Sequence, residues 1–198
     1  MSETWLCEGC DEPKPTEECW PSWVPNGRLV LCPECRDDLG AEVILPTNDA
    51  IPFDVALVGC TKRKRDERAQ AGDLYDESPL FRRRRRIARD HAGLWGILSA
   101  EHGFVHPATE LQPYNTHIRD VDTEAWSVEV LSDLADLVGA GDRVAILAGA
   151  QDYVDPVRGP LRELDIDVAA PLRKQPPGIQ FNVLDDLMAA LDEHTAVI

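Results

Sequence analysis

Four cysteines in two CxxC pairs open the chain, Cys7-Glu-Gly-Cys10 and Cys32-Pro-Glu-Cys35, with twenty-one residues between them. Tetrahedral zinc needs four thiolates converging on one point, and each CxxC turn delivers two of them from one tight loop. This spacing is a strong metal signal, so Cys7, Cys10, Cys32 and Cys35 are the expected ligands of a structural Zn2+. It also divides the chain. Residues 1–45 read as a zinc ribbon or knuckle, and residues 51–198 must build a core of their own. Gly27 to Leu31 reads as the short strand leading into the second pair. Trp5, Trp20 and Trp23 are the candidate apolar cluster of the module. Cys19, a fifth cysteine there, reads as a bystander. Pro46 to Ala50 is a turn-rich linker.

Paired CxxC motifs point to metal in a reducing compartment rather than to a disulfide framework. The first residues are acidic and lack the apolar core of a signal peptide. No apolar run approaches the ~20 residues that span a bilayer. The expected location is therefore the cytoplasm, with no membrane partner. The net charge is −16, yet residues 61–90 carry eleven Lys and Arg against six acids. That segment is +5, and the remainder, nine basic against thirty acidic residues, is −21. A basic island on an acidic body is compatible with phosphate recognition. Arg outnumbers Lys sixteen to four. The acidity and that ratio suggest adaptation to a salt-rich, halophilic cytoplasm, where screening would leave binding to short, specific contacts.

From Ile51 strand and helix patterns alternate. Apolar runs at 53–59, 94–98, 143–147 and 166–170 read as buried strands. Segments 80–91, 123–138, 152–164 and 178–193 read as helices. Trp126, Val130, Leu131, Leu134 and Val138 share one helix face. The expected fold is α/β: a mainly parallel sheet of about four strands with helices on both faces. Residues 61–79 and 99–121 read as loops.

In such sheets function collects beyond the carboxyl ends of strands. Three exits are rich in polar residues: Gly59 to Lys64, Ser99 to Gly103 continuing to Asn115, and Ala148 to Tyr153. Cys60 and Lys64 are candidate nucleophiles, with Lys62 a candidate phosphate contact. The plain alternative for Cys60 is a buried thiol closing a strand. His102 is a candidate general acid or base, three residues after Ser99. Tyr114 is a candidate base-stacking residue, and Tyr153 a candidate substrate contact. Arg82 to Arg86 are five consecutive arginines on a predicted helix, which wrap more than one full turn. Arg84 or Arg85 must therefore face inward and find a carboxylate (Asp73, Asp76 or Glu77) or a ligand phosphate. Asp120 and Asp122 read as helix-start residues.

Val58 to Lys64, Leu74 to Phe81, Ile97 to Gly103 and Leu111 to Tyr114 resemble a widespread set of prokaryotic proteins, the YaaA-like family. Its namesake is a peroxide-stress protein with DNA-binding activity and carries a tyrosine in place of His102. The core domain of archaeosine synthase is more distantly similar: its Cys, Lys, Tyr, Ser, His pattern falls on Cys60, Lys64, Tyr75, Ser78 and Phe81. An insertion separates Lys64 from Tyr75, and Phe81 replaces the final histidine. The resemblance spans roughly residues 53–185 and leaves the cysteine module outside. It implies nucleic-acid or nucleobase chemistry, with Tyr75 and Ser78 as substrate contacts.

Three functions follow. The first is an enzyme acting on a nucleobase or its N-glycosidic bond, in nucleic acid or a nucleotide. The second is a non-catalytic DNA-binding or stress-response protein. The third is an adaptor whose zinc module binds a protein partner. An enzyme should gather Cys60, Lys64, Ser99, His102 and Tyr114 at one pocket; a binder should show a continuous basic surface.

Overall fold

The computed structural model describes residues 53–195 throughout, and before them residues 4–7, 10, 12–15, 20–24, 27–32, 34–35 and 42–43. Cys19, the linker at 46–50 and the side chains of Trp5, Trp20 and Trp23 lie outside the described residues. The chain divides into two compact units, Met1–Asn48 and Asp49–Ile198.

The first unit is built of short antiparallel strands. β1 (Thr4–Leu6) pairs with β2 (Pro13–Pro15). β3 (Trp20–Val24) lies between β4 (Gly27–Leu31) and β5 (Glu42–Val43). β4 runs directly into Cys32, which is the lead-in that the sequence suggests. Strands this short bury little, so the unit leans on whatever ties its cysteines together.

The second unit is α/β. Its sheet has five strands. β6 (Phe53–Gly59) is central, with β8 (Ala92–Ser99) on one side and β11 (Arg143–Leu147) on the other, both parallel to it. β12 (Asp167–Ala169) continues the parallel set. β9 (Gly103–Val105) adds an antiparallel edge to β8. This fifth strand lies inside a segment whose polarity reads as loop. Gly103 makes it possible: its φ of +62° reverses the chain just after the β8 turn, a conformation that costs glycine nothing. A two-residue ladder, β7 (Ala69–Gln70) with β10 (Glu110–Leu111), ties the two long loops together.

The central strands alternate between two buried faces. Val55 and Leu57 join a core with Trp126, Val130 and Leu134 of α3 (Thr123–Leu134) and Val154, Val157 and Leu161 of α4 (Gln151–Glu163). Their neighbours Ala56 and Val58 are equally buried and point the other way, as the two-residue period of a strand requires. On that side α2 (Pro79–His91), which follows the single-turn α1 (Ala71–Leu74), packs on β6 and β8 and against α5 (Pro177–Thr195). α4 keeps its helix despite Pro156 and Pro160; its apolar stripe offsets the lost N–H groups. α3 starts where Asp122 caps the amides of Glu124 and Ala125. It ends four residues short of Val138. No helix among the described residues is long and apolar enough to cross a membrane.

Candidate functional site

β6 hands the chain to α2 and β8 on one side, while β11 hands it through α4 to β12 on the other. Their C-terminal ends therefore part, and a crevice opens between the two exits. A cavity of about 470 Å³ occupies it, lined among others by Gly59 to Lys62, Lys64, Arg84, Asn115, Ala148 to Ala150, Tyr153 and Gln180. The two exits can approach only because they carry glycine. A Cβ on Gly59 would lie 2.8 Å from that of Ala148, and one on Gly149 would lie 2.1 Å from Nε2 of Gln180.

Cys60 sits at the end of β6, its amide donating to the Leu98 carbonyl at 3.0 Å. Its sulfur is 3.0 Å from the Tyr153 hydroxyl, whose own ionisation burial pushes up. Tyr153 in turn leans edge-on against Trp126. The thiol is thus half-buried, held in place and open to the cavity. Lys64 curls back over the same loop. Its ammonium donates to the Thr61 carbonyl at 3.1 Å and lies 4.2 Å from the centroid of Tyr114. Among the described residues no carboxylate pairs with it, and burial pushes its pKa below the ordinary lysine value.

The lowered Lys64 pKa has a definite sign. Between that value and the ordinary lysine pKa the unfolded chain binds more protons, so stability rises with pH across this window. Lys64→Met should flatten the rise in a urea-denaturation series run from pH 7 to pH 10. An unchanged slope would show that the ammonium is not penalised by the fold.

Ser99, His102, Tyr75 and Tyr114 form a second layer reached through Lys64. Tyr114 Oη lies 2.6 Å from Tyr75 Oη and 2.8 Å from Ser99 Oγ. Ser99 is fully buried, and its Oγ also accepts from the amides of Glu101 and His102. It shapes the β8–β9 turn instead of lining the cavity. His102 is exposed and meets Tyr114 edge-on, the ring centroids 5.1 Å apart. Tyr114 is engaged by Lys64, His102 and two hydroxyls. Its geometry suits holding the ammonium more than offering a free face to a base. Tyr75 is fully buried against Phe81.

Two expected substrate contacts have other work. Ser78 caps α2, accepting from the Phe81 amide at 3.3 Å. Arg85 points away from the cavity into ion pairs with Asp73 at 2.9 Å and Asp76 at 2.7 Å. Arg84, one position earlier, turns into the protein. It is 5% exposed and donates to the Gly59 carbonyl at 3.3 Å and to Oε1 of Gln180 at 2.5 Å. Lys62 is exposed at the cavity mouth. Of the expected residues, then, Cys60, Lys62, Lys64, Arg84 and Tyr153 share the cavity wall. Asn115 and Gln180 are additions. Gln180 comes from the last helix, and only its place on the inward side of a C-terminal amphipathic pattern could have suggested it.

The basic island dissolves on folding. Arg65 pairs with Asp76, Arg68 with Glu110, Arg83 with Asp185, and Arg86 with Asp90 and Asp192. These acids come largely from elsewhere in the chain, so the +5 segment does not present a continuous cationic surface.

In the first unit the sulfurs of Cys7, Cys10, Cys32 and Cys35 all lie within 4.8 Å of one another. Cys7 and Cys32 are buried, and the Cys32 amide donates to the Cys7 sulfur at 3.2 Å. A tetrahedral ion with 2.3 Å bonds to sulfur would set such atoms about 3.8 Å apart. The four thiols fit a metal ion, and amide donation to a ligand sulfur is the support that metal thiolates receive.

The sequence profile of a family of unknown function, DUF6884, matches residues 55–186. The chain belongs to this family. No curated protein and no solved structure matches it. The DUF6884 span runs from β6 into α5 and includes every residue of the cavity wall named above; the cysteine cluster lies outside it.

Proposed function

We propose that the DUF6884 unit is an enzyme acting on a nucleobase or its N-glycosidic bond. One observation carries this: a desolvated amine, Lys64, and a positioned thiol, Cys60, line one cavity at the point where the strand exits diverge. An amine whose charged form is disfavoured gives up its proton more readily than an exposed lysine, which is what a nucleophile or base needs. Substitution at a base carbon or at the anomeric carbon needs such a nucleophile or base. The resemblance to the YaaA-like family and to archaeosine synthase gives the substrate class, because Cys60 and Lys64 fall on the latter's pattern. The ion-paired arginines favour this over a non-catalytic DNA-binding protein, which needs unspent cations along a track.

The ion in the cysteine cluster is proposed to be zinc, since four thiolates in a closed set suit a structural zinc site. It supplies a fold, and through it a surface for nucleic acid or a protein partner. A thiolate metal site and paired CxxC motifs suit the cytoplasm.

The test is incubation of the full-length protein with nucleotides and oligonucleotides at low and high salt, followed by mass spectrometry of bases and protein. A released or altered base, or a mass adduct at Cys60 or Lys64, is expected. Cys60→Ser and Lys64→Met should abolish it. Unchanged substrates and unmodified protein with all four bases would overturn the reading.

A further inference from the structure

We infer that the cavity seats a terminal phosphate monoester on Arg84 and the N-terminus of α4, so that its ligand is a free mononucleotide and not a residue within a strand. This rests on the nucleobase reading above and narrows it.

Arg84 is the central observation. Of the other arginines of the run 82–86, Arg83, Arg85 and Arg86 reach carboxylates, and Arg82, which unlike Arg84 is exposed, donates to the Asp76 carbonyl. Arg84 reaches only neutral oxygens, those of Gly59 and Gln180, and its Nε has no acceptor. A guanidinium 95% removed from solvent normally has an anion beside it. Among the described residues none does. Burial accordingly drags its pKa down to about 10. The fold thus holds an uncompensated cation at the cavity wall, which an incoming anion would neutralise.

The second observation is independent. α4 is thirteen residues long, and its N-terminus opens on the same cavity, where Ala150 provides no side-chain cap. Uncapped amides and the helix dipole at this position favour an anion. Its first-turn carboxylate, Asp152, is turned to Arg119 at 3.5 Å. Arg84, the N-terminus of α4 and Lys62 together set a buried guanidinium, a helix dipole and an exposed cation at one cavity, which suits phosphate.

The contact between the two strand exits beside Arg84 argues for a monoester: a Cβ on Gly59 would lie 2.8 Å from that of Ala148 and 3.7 Å from Nη1 of Arg84, so no passage runs between the exits at that point. A phosphodiester needs an exit on both sides, whereas a phosphate that ends the ligand needs one. The volume of about 470 Å³ is in the range of sites for small ligands. Asp120, on the wall built by the 3-10 helix Ile118–Asp120, offers an acceptor for the hydroxyls that a nucleoside carries.

The experiment is calorimetric titration of the full-length protein with the four 5′-mononucleotides, their nucleosides, inorganic phosphate, and an oligonucleotide without terminal phosphates. At least one mononucleotide should bind about 10- to 100-fold more tightly than its nucleoside, the range of a charge-assisted contact. Arg84→Gln should erase that difference while leaving nucleoside affinity in place. Equal affinity for a nucleoside and its monophosphate would overturn the phosphate seat and leave the nucleobase reading standing. Tight binding of the oligonucleotide alone would overturn the monoester. Binding of none of these would defeat both readings. The ligand comparison uses the unaltered protein, so it decides even if the variant fails to fold.

Discussion

Treating the protein with a chelator is expected to unfold residues 1–48 and leave the α/β unit intact. The unit's strands are two to five residues long, far too little sheet to stand alone. Its four sulfurs are gathered within 4.8 Å, and a structural zinc ion supplies on the order of 10–16 kcal/mol at such a site. Cys32→Ser should act like the chelator, since it removes one buried thiol from the set of four. Hydrogen exchange read segment by segment is the measurement. Protection in strands β3 and β4 should vanish on chelation, while β6 and β11 keep theirs. Unchanged protection in a preparation shown to be metal-free would mean that the cysteines are not a metal site.

Neighbouring arginines should respond to substitution with opposite signs. Arg85→Ala strips a partly buried pair: Asp76 keeps Arg65 at 3.0 Å, but Asp73 and the Gly72 carbonyl lose their donor. A loss of about 2–3 kcal/mol follows, reduced by the partner that remains. Arg84→Met removes a cation without a counter-charge from the same helix. Its two acceptors border the cavity, where water can replace the guanidinium, so the relief of a buried charge dominates. A gain of about 1 kcal/mol is expected, the trade-off common at binding sites. Paired urea unfolding curves at pH 7 check both. If Arg84→Met destabilises as much as Arg85→Ala, Arg84 is a structural group and its charge is compensated.

How much of this was readable beforehand depends on distance along the chain. The core strands announce themselves because β6 and β11 are buried on both faces and hence almost wholly apolar. β9 does not, because its three residues at an edge carry no such pattern. Cys60, Lys64 and Arg84 could be named because each lies in or next to a strand exit or in a run that helix geometry cannot leave wholly exposed. The choice between Arg84 and Arg85 could not be made. It depends on the acids placed against Arg85 by α1 and its following turn, and on Gln180, ninety-six residues from Arg84. Likewise the island of positive charge reads as compatible with phosphate recognition, because Asp185 and Asp192, which quench part of it, belong to the last helix. Ser99 and Ser78 show what a motif does not announce: each hydroxyl accepts from backbone amides of the turn or helix start beside it.

The last helix has a consequence for how this gene can be damaged. All five strands of the sheet are complete by Ala169, yet α5 brings Gln180 to the cavity and packs along α2. A premature stop codon shortly after β12 would therefore spare the entire sheet and still leave Arg84 beside an open flank, its strongest acceptor gone. Truncated alleles of this kind would encode a protein in which the sheet is whole and the cavity has lost a wall.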